Sequence, residues 1–235
     1  MQLFFSQDID NNCIQLLNDE ARHCFVLRKK VGDNLNIING DGAIYTACIT
    51  HILKDKVIAE IIKKEIKSDL RLYYFHLAIS PTKQSDRIEW MLEKCIEMGI
   101  DEISFIETQH SEKAKVNSER LKKISISAIK QSHHFKLPII NDIVKFNDFI
   151  SCKREGTKAI AHCHDTDKLK VSDLKAKGNN VYTILIGPEG DFSDSEIKFA
   201  QNNHFITLDL GNSRLRTETA GLYVCAALKA LLENQ

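Results

Sequence analysis

The sequence predicts an α/β protein in which a mostly parallel sheet follows a small β-rich barrel. Residues 1 to about 68 contain short apolar runs that are joined by tight turns, as in a small barrel. After residue 69, apolar runs alternate with segments of helical periodicity, which indicates consecutive β-α units. We therefore predict two domains, over residues 1–68 and 69–235.

Three strands are predicted in the first domain, at 34–38, 43–50 and 57–62, with turns at 39–42 and 54–56. Before them, residues 18–30 predict a short helix and a turn that carry Arg22, Arg28, Lys29 and Lys30. A basic cluster of this kind is usually a solvated face. It could also contact phosphates, because Lys and Arg supply the sequence-independent part of RNA affinity.

The second domain is predicted to alternate strands and helices along the chain. Strands are predicted at 72–79, 103–106, 159–161, 181–186 and 205–210, and helices at 88–96, 118–132 and 220–232. The run at 72–79 is apolar throughout, as in a strand covered on both faces of its sheet. Ser193 and Glu196 have the spacing of a capping box, which predicts a further helix from that point.

Two glycine-containing loops follow neighbouring strands of this domain and form its candidate site. The first is the Gly-Pro-Glu-Gly turn at 187–190, and the second begins at Gly211 and carries Arg214, Arg216 and Glu218. Loops at the carboxyl ends of adjacent strands make a crevice, where open α/β sheets bind ligands. The alternatives are a tight strand-to-helix turn and a solvated charged loop.

The charged side chains of the second loop suit two kinds of chemistry. Arg216 could hold a phosphate or stabilise a developing oxyanion with its planar guanidinium group. Glu218 could orient that arginine or act as a base. Thr217 or Thr219 could cap the helix that follows.

A histidine- and cysteine-containing stretch at 162–165 is similar to a metal-binding sequence. Adjacent residues of a strand point to opposite faces, and a second cluster that would complete four ligands is missing from the sequence. We therefore expect no metal ion.

The overall composition limits the possible surroundings of the protein. The 235 residues carry equal numbers of acidic and basic side chains, so any basic surface must be local. The seven cysteines include no Cys-x-x-Cys pair, which favours free thiols in a reducing cytoplasm. We expect neither a membrane span, which needs about 20 apolar residues, nor an amino-terminal targeting segment.

The motifs in their order along the chain resemble the RsmE family, the SPOUT-class methyltransferases that act on a uridine of small-subunit ribosomal RNA. The resemblance is carried by His23 to Arg28 with Gly32 and Asp33, by Glu93 to Gly99, by Ile186 to Gly190 with Phe192, and by Leu210, Gly211 and Leu215 to Ala220.

The resemblance implies a PUA-like barrel that binds RNA and a trefoil-knotted parallel-sheet domain. It implies S-adenosylmethionine as methyl donor, 16S ribosomal RNA or the assembled small subunit as partner, N3 of a uridine as acceptor, and a homodimer. Arg216 and Glu218 become catalytic candidates, and Lys83 joins the RNA-binding candidates. The implied cofactor-binding residues are Ala161, His162, Ile186, Gly187, Gly190, Leu210, Gly211 and Leu215. A SPOUT enzyme acting on transfer RNA and a non-catalytic RNA-binding assembly factor are the alternatives.

The sequence departs from the family pattern at three places. Asp191 stands where a second glycine is usual after Gly190, and the stretch 212–214 differs from the commoner sequence. The arginine that usually follows the Gln131-Ser132 pair is also missing, and His133, His134 or Lys136 could take its place.

Overall fold

The computed structural model describes residues 1–67, 71, 73–112, 116–177 and 180–232. They form two compact units. The first contains the described residues of Met1–Leu70 and of Ile126–Leu137, and the second contains the other described residues. The predicted boundary itself, between residues 68 and 69, lies outside the described residues, as does Leu72 at the start of the strand predicted for 72–79.

The first unit is built on a six-stranded sheet in which only β1 and β4 are parallel. The strands are β1 (Leu3–Phe5), β2 (Ile9–Asp10), β3 (Cys13–Leu17), β4 (Asn34–Ile38), β5 (Ala43–Leu53) and β6 (Lys56–Ile66), and helix α1 is Asn18–Val26. Their order is β1-β4-β5-β6-β3-β2. Side chains alternate between buried and exposed along β3, so that Ile14 and Leu16 enter the core with Leu35 and Ile37.

Residues 126–137 cluster with this unit although they follow it by a long stretch of chain. The Gly42 N–H donates to the Phe135 carbonyl, and the Leu137 N–H donates to the Gly40 carbonyl, both at 2.9 Å. Lys130 also forms an ion pair with Glu20. These bonds lie between segments far apart in sequence, where local patterning carries no signal.

The second unit contains a seven-stranded sheet in which every paired strand is parallel, as the alternation of elements predicts. The strands are β7 (Tyr74–Ile79), β8 (Glu102–Glu107), β9 (Ile139–Lys145), β10 (Thr157–Ala161), β11 (Leu169–Lys170), β12 (Val181–Ile186) and β13 (Ile206–Asp209). Their order is β11-β13-β10-β12-β7-β8-β9.

After β7, the described residues form five α-helices and one 3-10 helix (Val171–Lys177). The helices are α2 (Ser85–Glu97), α3 (Ser118–Ser132), α4 (Phe146–Ser151), α5 (Asp194–Asn202) and α6 (Thr217–Leu232). The predicted capping box is confirmed at the start of α5, where Ser193 accepts from the Glu196 N–H and Glu196 accepts from the Ser193 N–H. Gly99, with φ 88°, follows α2 in the left-handed conformation expected of a C′ residue.

Helix α6 packs closely on β7 and α2, because Gly221 has no side chain at the point of contact. A Cβ atom added at Gly221 would lie 2.9 Å from the Met91 sulfur and 3.1 Å from Ile79 Cδ1. In the described part of the chain, none of the helices combines the length and apolar character needed to span a bilayer.

The strand order brings three loops together at the carboxyl ends of the strands. Strands β13, β10 and β12 are consecutive neighbours and parallel, so their carboxyl ends lie together. The loops that leave these strands are the two glycine loops and the stretch that begins at His162. The prediction that the two glycine loops follow neighbouring strands was wrong, because β10 pairs with both β12 and β13 and lies between them. The site therefore gains a third wall from the loop after β10.

Candidate active site

A cavity of about 730 Å³ lies at the carboxyl ends of β10, β12 and β13. Its lining comes from three loops, which contribute Ala161 to Cys163 with Lys168, Ile186 to Glu189 with Asp191, and Asp209 to Thr217 with Ala220. The volume is within the range of about 300–1,000 Å³ that is typical of small-molecule sites.

The structure brings most of the predicted cofactor-binding residues together around this cavity. Ala161, His162, Ile186, Gly187, Leu210, Gly211 and Leu215 all line it, and so does the catalytic candidate Arg216. Gly190 and Glu218 are not among the lining residues. Gly190 lies instead beside His110, whose Cβ atom would be 3.0 Å from a Cβ added at the glycine.

The first glycine turn is held by a buried hydrogen bond from the start of α6. The Thr217 hydroxyl donates to the Gly187 carbonyl at 3.0 Å. Thr217 was a candidate helix cap in the sequence, but α6 begins at Thr217 and its hydroxyl connects the two glycine loops. Gly187 also packs tightly, since an added Cβ would lie 3.1 Å from the Phe192 ring.

The second glycine loop bends at Gly211, which has φ 103°. An L side chain rarely adopts this conformation, so glycine is needed for the bend. The Asp209 carboxylate accepts the Gly211 N–H at 2.9 Å and fixes the turn from the end of β13. A Cβ added at Gly211 would meet open space, so the requirement is for backbone conformation and not for room.

His162 is a buried histidine in the cavity wall whose ring nitrogens have no hydrogen-bond partner among the described residues. Burial, with a further contribution from Lys168, lowers the pKa of His162 to about 4. The imidazole is therefore neutral near pH 7 and retains one donor and one acceptor. Since a buried polar group without a partner is costly, the ring is suited to bind a polar group of a ligand.

The two catalytic candidates have different surroundings. Arg216 is exposed at the cavity, and it forms no ion pair or side-chain hydrogen bond within the described ranges. Glu218 is buried, with one carboxylate oxygen 3.8 Å from Arg87 Nε and the other without a hydrogen-bond partner in the described part of the protein. The structure thus places Arg216 in the cavity lining, and it places Glu218 outside that lining and beside Arg87 in the first turn of α2.

The RNA-binding candidates are accessible. Arg22, Arg28 and Lys30 are exposed on the first unit and form no ion pair with any described residue, while Lys29 is half-buried and donates to the Asn34 carbonyl. Lys83 is exposed on the second unit and lies 3.2 Å from Glu112.

Several residues of the lining were not identified from the sequence. Cys163 was considered only as part of the metal-like stretch 162–165, and Asp209 only as part of the predicted strand 205–210. Lys168 carries no pattern that distinguishes it from an ordinary loop residue. The signal that could have found Asp209 is its position just before a glycine at a strand end, where a carboxylate often accepts a turn N–H.

Comparison with known families decides the assignment. An RNA methyltransferase domain matches residues 69–229, and an RNA methyltransferase PUA domain matches residues 16–62. The chain belongs to the RNA methyltransferase family. The resemblance to the RsmE family and the predicted α/β SPOUT fold with a PUA-like amino-terminal barrel are thereby confirmed.

Individual relatives extend over nearly the full chain. Ribosomal RNA small subunit methyltransferase E of Buchnera aphidicola subsp. Acyrthosiphon pisum is 30% identical, and the match covers 98% of this chain and 93% of the relative. The protein of the same name from Rickettsia conorii is 29% identical and covers 94% of this chain and 91% of its own length.

Solved structures of this methyltransferase family agree with the fold. A probable rRNA-methyltransferase from Porphyromonas gingivalis has a TM-score of 0.92 at 37% identity, and 100% of this chain and 99% of that chain are covered. A ribosomal RNA small subunit methyltransferase E from Neisseria gonorrhoeae, bound to S-adenosylmethionine, has a TM-score of 0.83 at 27% identity, with 98% of each chain covered.

Proposed function

We propose that this RNA methyltransferase transfers a methyl group from S-adenosylmethionine to N3 of a uridine in 16S ribosomal RNA of the small subunit. The observation that carries the proposal is the cavity at the ends of β10, β12 and β13, whose lining includes the exposed Arg216. Two full-length relatives are named ribosomal RNA small subunit methyltransferase E, and a structural relative binds S-adenosylmethionine.

The residues of the cavity fit this methyl donor. Gly187 and Gly211 both line the cavity, and a side chain at Gly187 would crowd the Phe192 ring. His162 offers a neutral donor and acceptor without a partner among the described residues. Ala161, Ile186, Leu210 and Leu215 add apolar surface. When bound, S-adenosylmethionine would supply a methyl group on a sulfonium sulfur; the S–CH3 bond breaks as the N–CH3 bond forms, and the neutral thioether S-adenosylhomocysteine is the leaving group.

Arg216 has the chemistry that the acceptor requires. Uracil N3 carries a proton between two carbonyl groups, and loss of that proton spreads negative charge onto both oxygens. A guanidinium group beside one of these oxygens stabilises that charge. Because Arg216 has no acidic partner in the described chain, its charge is available to the nucleotide.

Two roles for Glu218, as proton acceptor and as the residue that orients Arg216, were predicted from the sequence and stay predictions. In the second unit, a carboxylate oxygen of Glu218 lies 3.8 Å from Arg87 Nε. Glu218 is buried in the first turn of α6, where a carboxylate is favoured by the helix dipole. We therefore assign it to the positioning of the helix start that carries Arg216 and Thr217.

Binding of RNA is assigned to the basic residues of the first unit and to Lys83. Arg22, Arg28 and Lys30 are exposed and without acidic partners among described residues, so they can neutralise phosphates. Affinity for RNA is then expected to fall steeply as salt is raised. A double variant of Arg28→Ala and Lys30→Ala is expected to reduce the slope of log affinity against log salt by about two. An unchanged slope would remove this surface from the interface.

The catalytic proposal is tested with Arg216→Ala. We expect methyl transfer to small ribosomal subunits to fall about a hundredfold or more, since one group that stabilises an oxyanion is worth about that much. Binding of S-adenosylhomocysteine, measured by calorimetry, is expected to change little. Lys198→Ala removes an exposed positive charge on α5, outside the cavity, and serves as the matched control. A near-normal rate for Arg216→Ala would contradict the assignment.

The choice of substrate is tested by mapping methylated nucleotides by mass in RNA from a deletion strain. Loss of one methyluridine from 16S RNA, restored by the intact gene, supports the proposal. Loss of a mark from transfer RNA instead would show a SPOUT enzyme of different specificity. Failure of the purified protein to bind S-adenosylhomocysteine saturably would favour the non-catalytic assembly factor.

A homodimer and a cytoplasmic location complete the proposal. The homodimer rests on the family resemblance, and the location rests on the seven cysteines without a Cys-x-x-Cys pair, which favour free thiols in a reducing compartment. Sedimentation equilibrium of the purified protein measures the first. A monomer at the concentrations used in the transfer assay would contradict it.

A further inference from the structure

Asp191 has a backbone conformation that side chains seldom adopt. Its φ is 63°, and its N–H donates to the Pro188 carbonyl at 2.9 Å to close the glycine turn. Glycine takes this conformation without strain, while aspartate is one of the few other residues that tolerate it. A side chain at this position is therefore expected to make a contact that glycine cannot make.

The carboxylate of Asp191 makes such a contact between two walls of the cavity. One oxygen accepts the Phe192 N–H at 2.8 Å, and the other accepts the Cys163 N–H at 2.7 Å. Cys163 belongs to the loop after β10, and both Asp191 and Cys163 line the cavity. A charged acceptor makes these hydrogen bonds stronger than neutral ones.

His164 joins the same two segments next to this contact. Its Nδ1 lies 3.0 Å from the Asp194 carboxylate, and its Nε2 lies 3.0 Å from the Phe192 carbonyl. The His164 ring also packs edge-on against the His162 ring, with centroids 5.6 Å apart. Cys163 and His164, which follow His162 directly in the chain, are thus both attached to the segment that contains the glycine turn.

We propose that Asp191 is a positioning residue for the methyl donor, which holds the loop after β10 against the glycine turn before the ligand binds. The inference rests on the proposed function for the identity of the ligand. A loop that is already fixed loses less conformational freedom on binding, so the contact raises affinity without touching the reacting atoms. His162 and the backbone of Cys163 are the groups that it keeps in place.

The test compares Asp191→Gly with Asp191→Asn. Glycine retains the backbone conformation and removes the side chain, whereas asparagine retains one acceptor and removes the charge. Glu155→Gln, an exposed acid outside the cavity, is the control for loss of one negative charge. Affinity for S-adenosylhomocysteine is measured by calorimetry, and exchange of the Cys163 amide hydrogen is measured by NMR.

We expect the glycine variant to bind S-adenosylhomocysteine about tenfold more weakly and to exchange the Cys163 amide faster, with the asparagine variant between it and the wild type. In the transfer assay, KM for the methyl donor is expected to rise while kcat stays within about twofold. If the glycine variant does not fold, the affinity for S-adenosylhomocysteine and the exchange of the Cys163 amide in the asparagine variant test the inference instead.

Two results would overturn the inference. The first is wild-type affinity in both variants, and the second is unchanged exchange at Cys163 in the glycine variant. Lack of saturable binding by the wild-type protein is a different result, which would overturn the proposed function. The exchange measurement needs no ligand, so the two failures are distinguishable.

Discussion

Replacing Thr217 with valine tests whether the hydrogen bond between the two glycine loops organises the cavity. Valine has nearly the shape of threonine, so packing is retained while the donor to the Gly187 carbonyl is lost. The bond is buried, and its removal leaves a carbonyl oxygen without this partner. We expect the free energy of unfolding to fall by about 1–2 kcal/mol, which lowers Tm by roughly 2–8 °C for a chain of this size.

The same change is expected to weaken binding of S-adenosylhomocysteine several-fold, because Gly187 and Thr217 both line the cavity. Urea unfolding followed by circular dichroism gives the stability, and calorimetry gives the affinity. Thr217→Ser is the matched control, since it retains the hydroxyl and loses only the methyl group. The reasoning is refuted if valine behaves as the wild type, or if serine is as damaging as valine.

Three further predictions concern stability and are checked by denaturant unfolding. Burial lowers the pKa of His162 to about 4. This is below the pKa of about 6.5 that a histidine has in an unfolded chain. The unfolded state therefore binds more protons than the folded state between these two values. The free energy of unfolding is expected to fall by about 2 kcal/mol from about pH 7 to about pH 5. His162→Gln should remove this part of the pH dependence, and an unaltered slope in that variant would contradict the assigned shift. Gly221→Ala should destabilise by about 1 kcal/mol, because crowding against Met91 outweighs the better helix propensity of alanine; a gain in stability would show that Met91 moves aside. Ser193→Ala should cost about 1 kcal/mol through loss of the α5 capping box, and an effect below a few tenths would show that the cap is replaced by water.

Elements that depend on local pattern were predictable from the sequence. The strands Asn34–Ile38 and Val181–Ile186 and the helix Ser118–Ser132 have the predicted bounds. Their periodicity and their turn or cap residues point to the same structure, which is the condition under which local reasoning succeeds. Strand β9 was not predicted, because Ile139–Lys145 alternates too weakly between buried and exposed positions at the edge of the sheet.

Contacts of the site that depend on the fold were not predictable. The Gly-Pro-Glu-Gly turn and the loop with Arg216 were identified as a pair because each follows an apolar strand. The bond from Cys163 to Asp191 joins residues of two different loops, and the pairing of Arg87 with Glu218 joins the starts of two helices. Neither has a signature in sequence spacing, since both arise only when β10 and β12 lie side by side and α6 returns to α2.

The bonds of the amino-terminal sheet to residues 126–137 limit how that unit could be separated or exchanged. A fragment cut at residue 68 would lose two main-chain hydrogen bonds, at Gly40 and Gly42, and would leave Glu20 without Lys130. Grafting the barrel onto a relative would accordingly require two stretches of chain to be transplanted together. The end of α3 is in this sense a component of the barrel that happens to be encoded inside the methyltransferase segment.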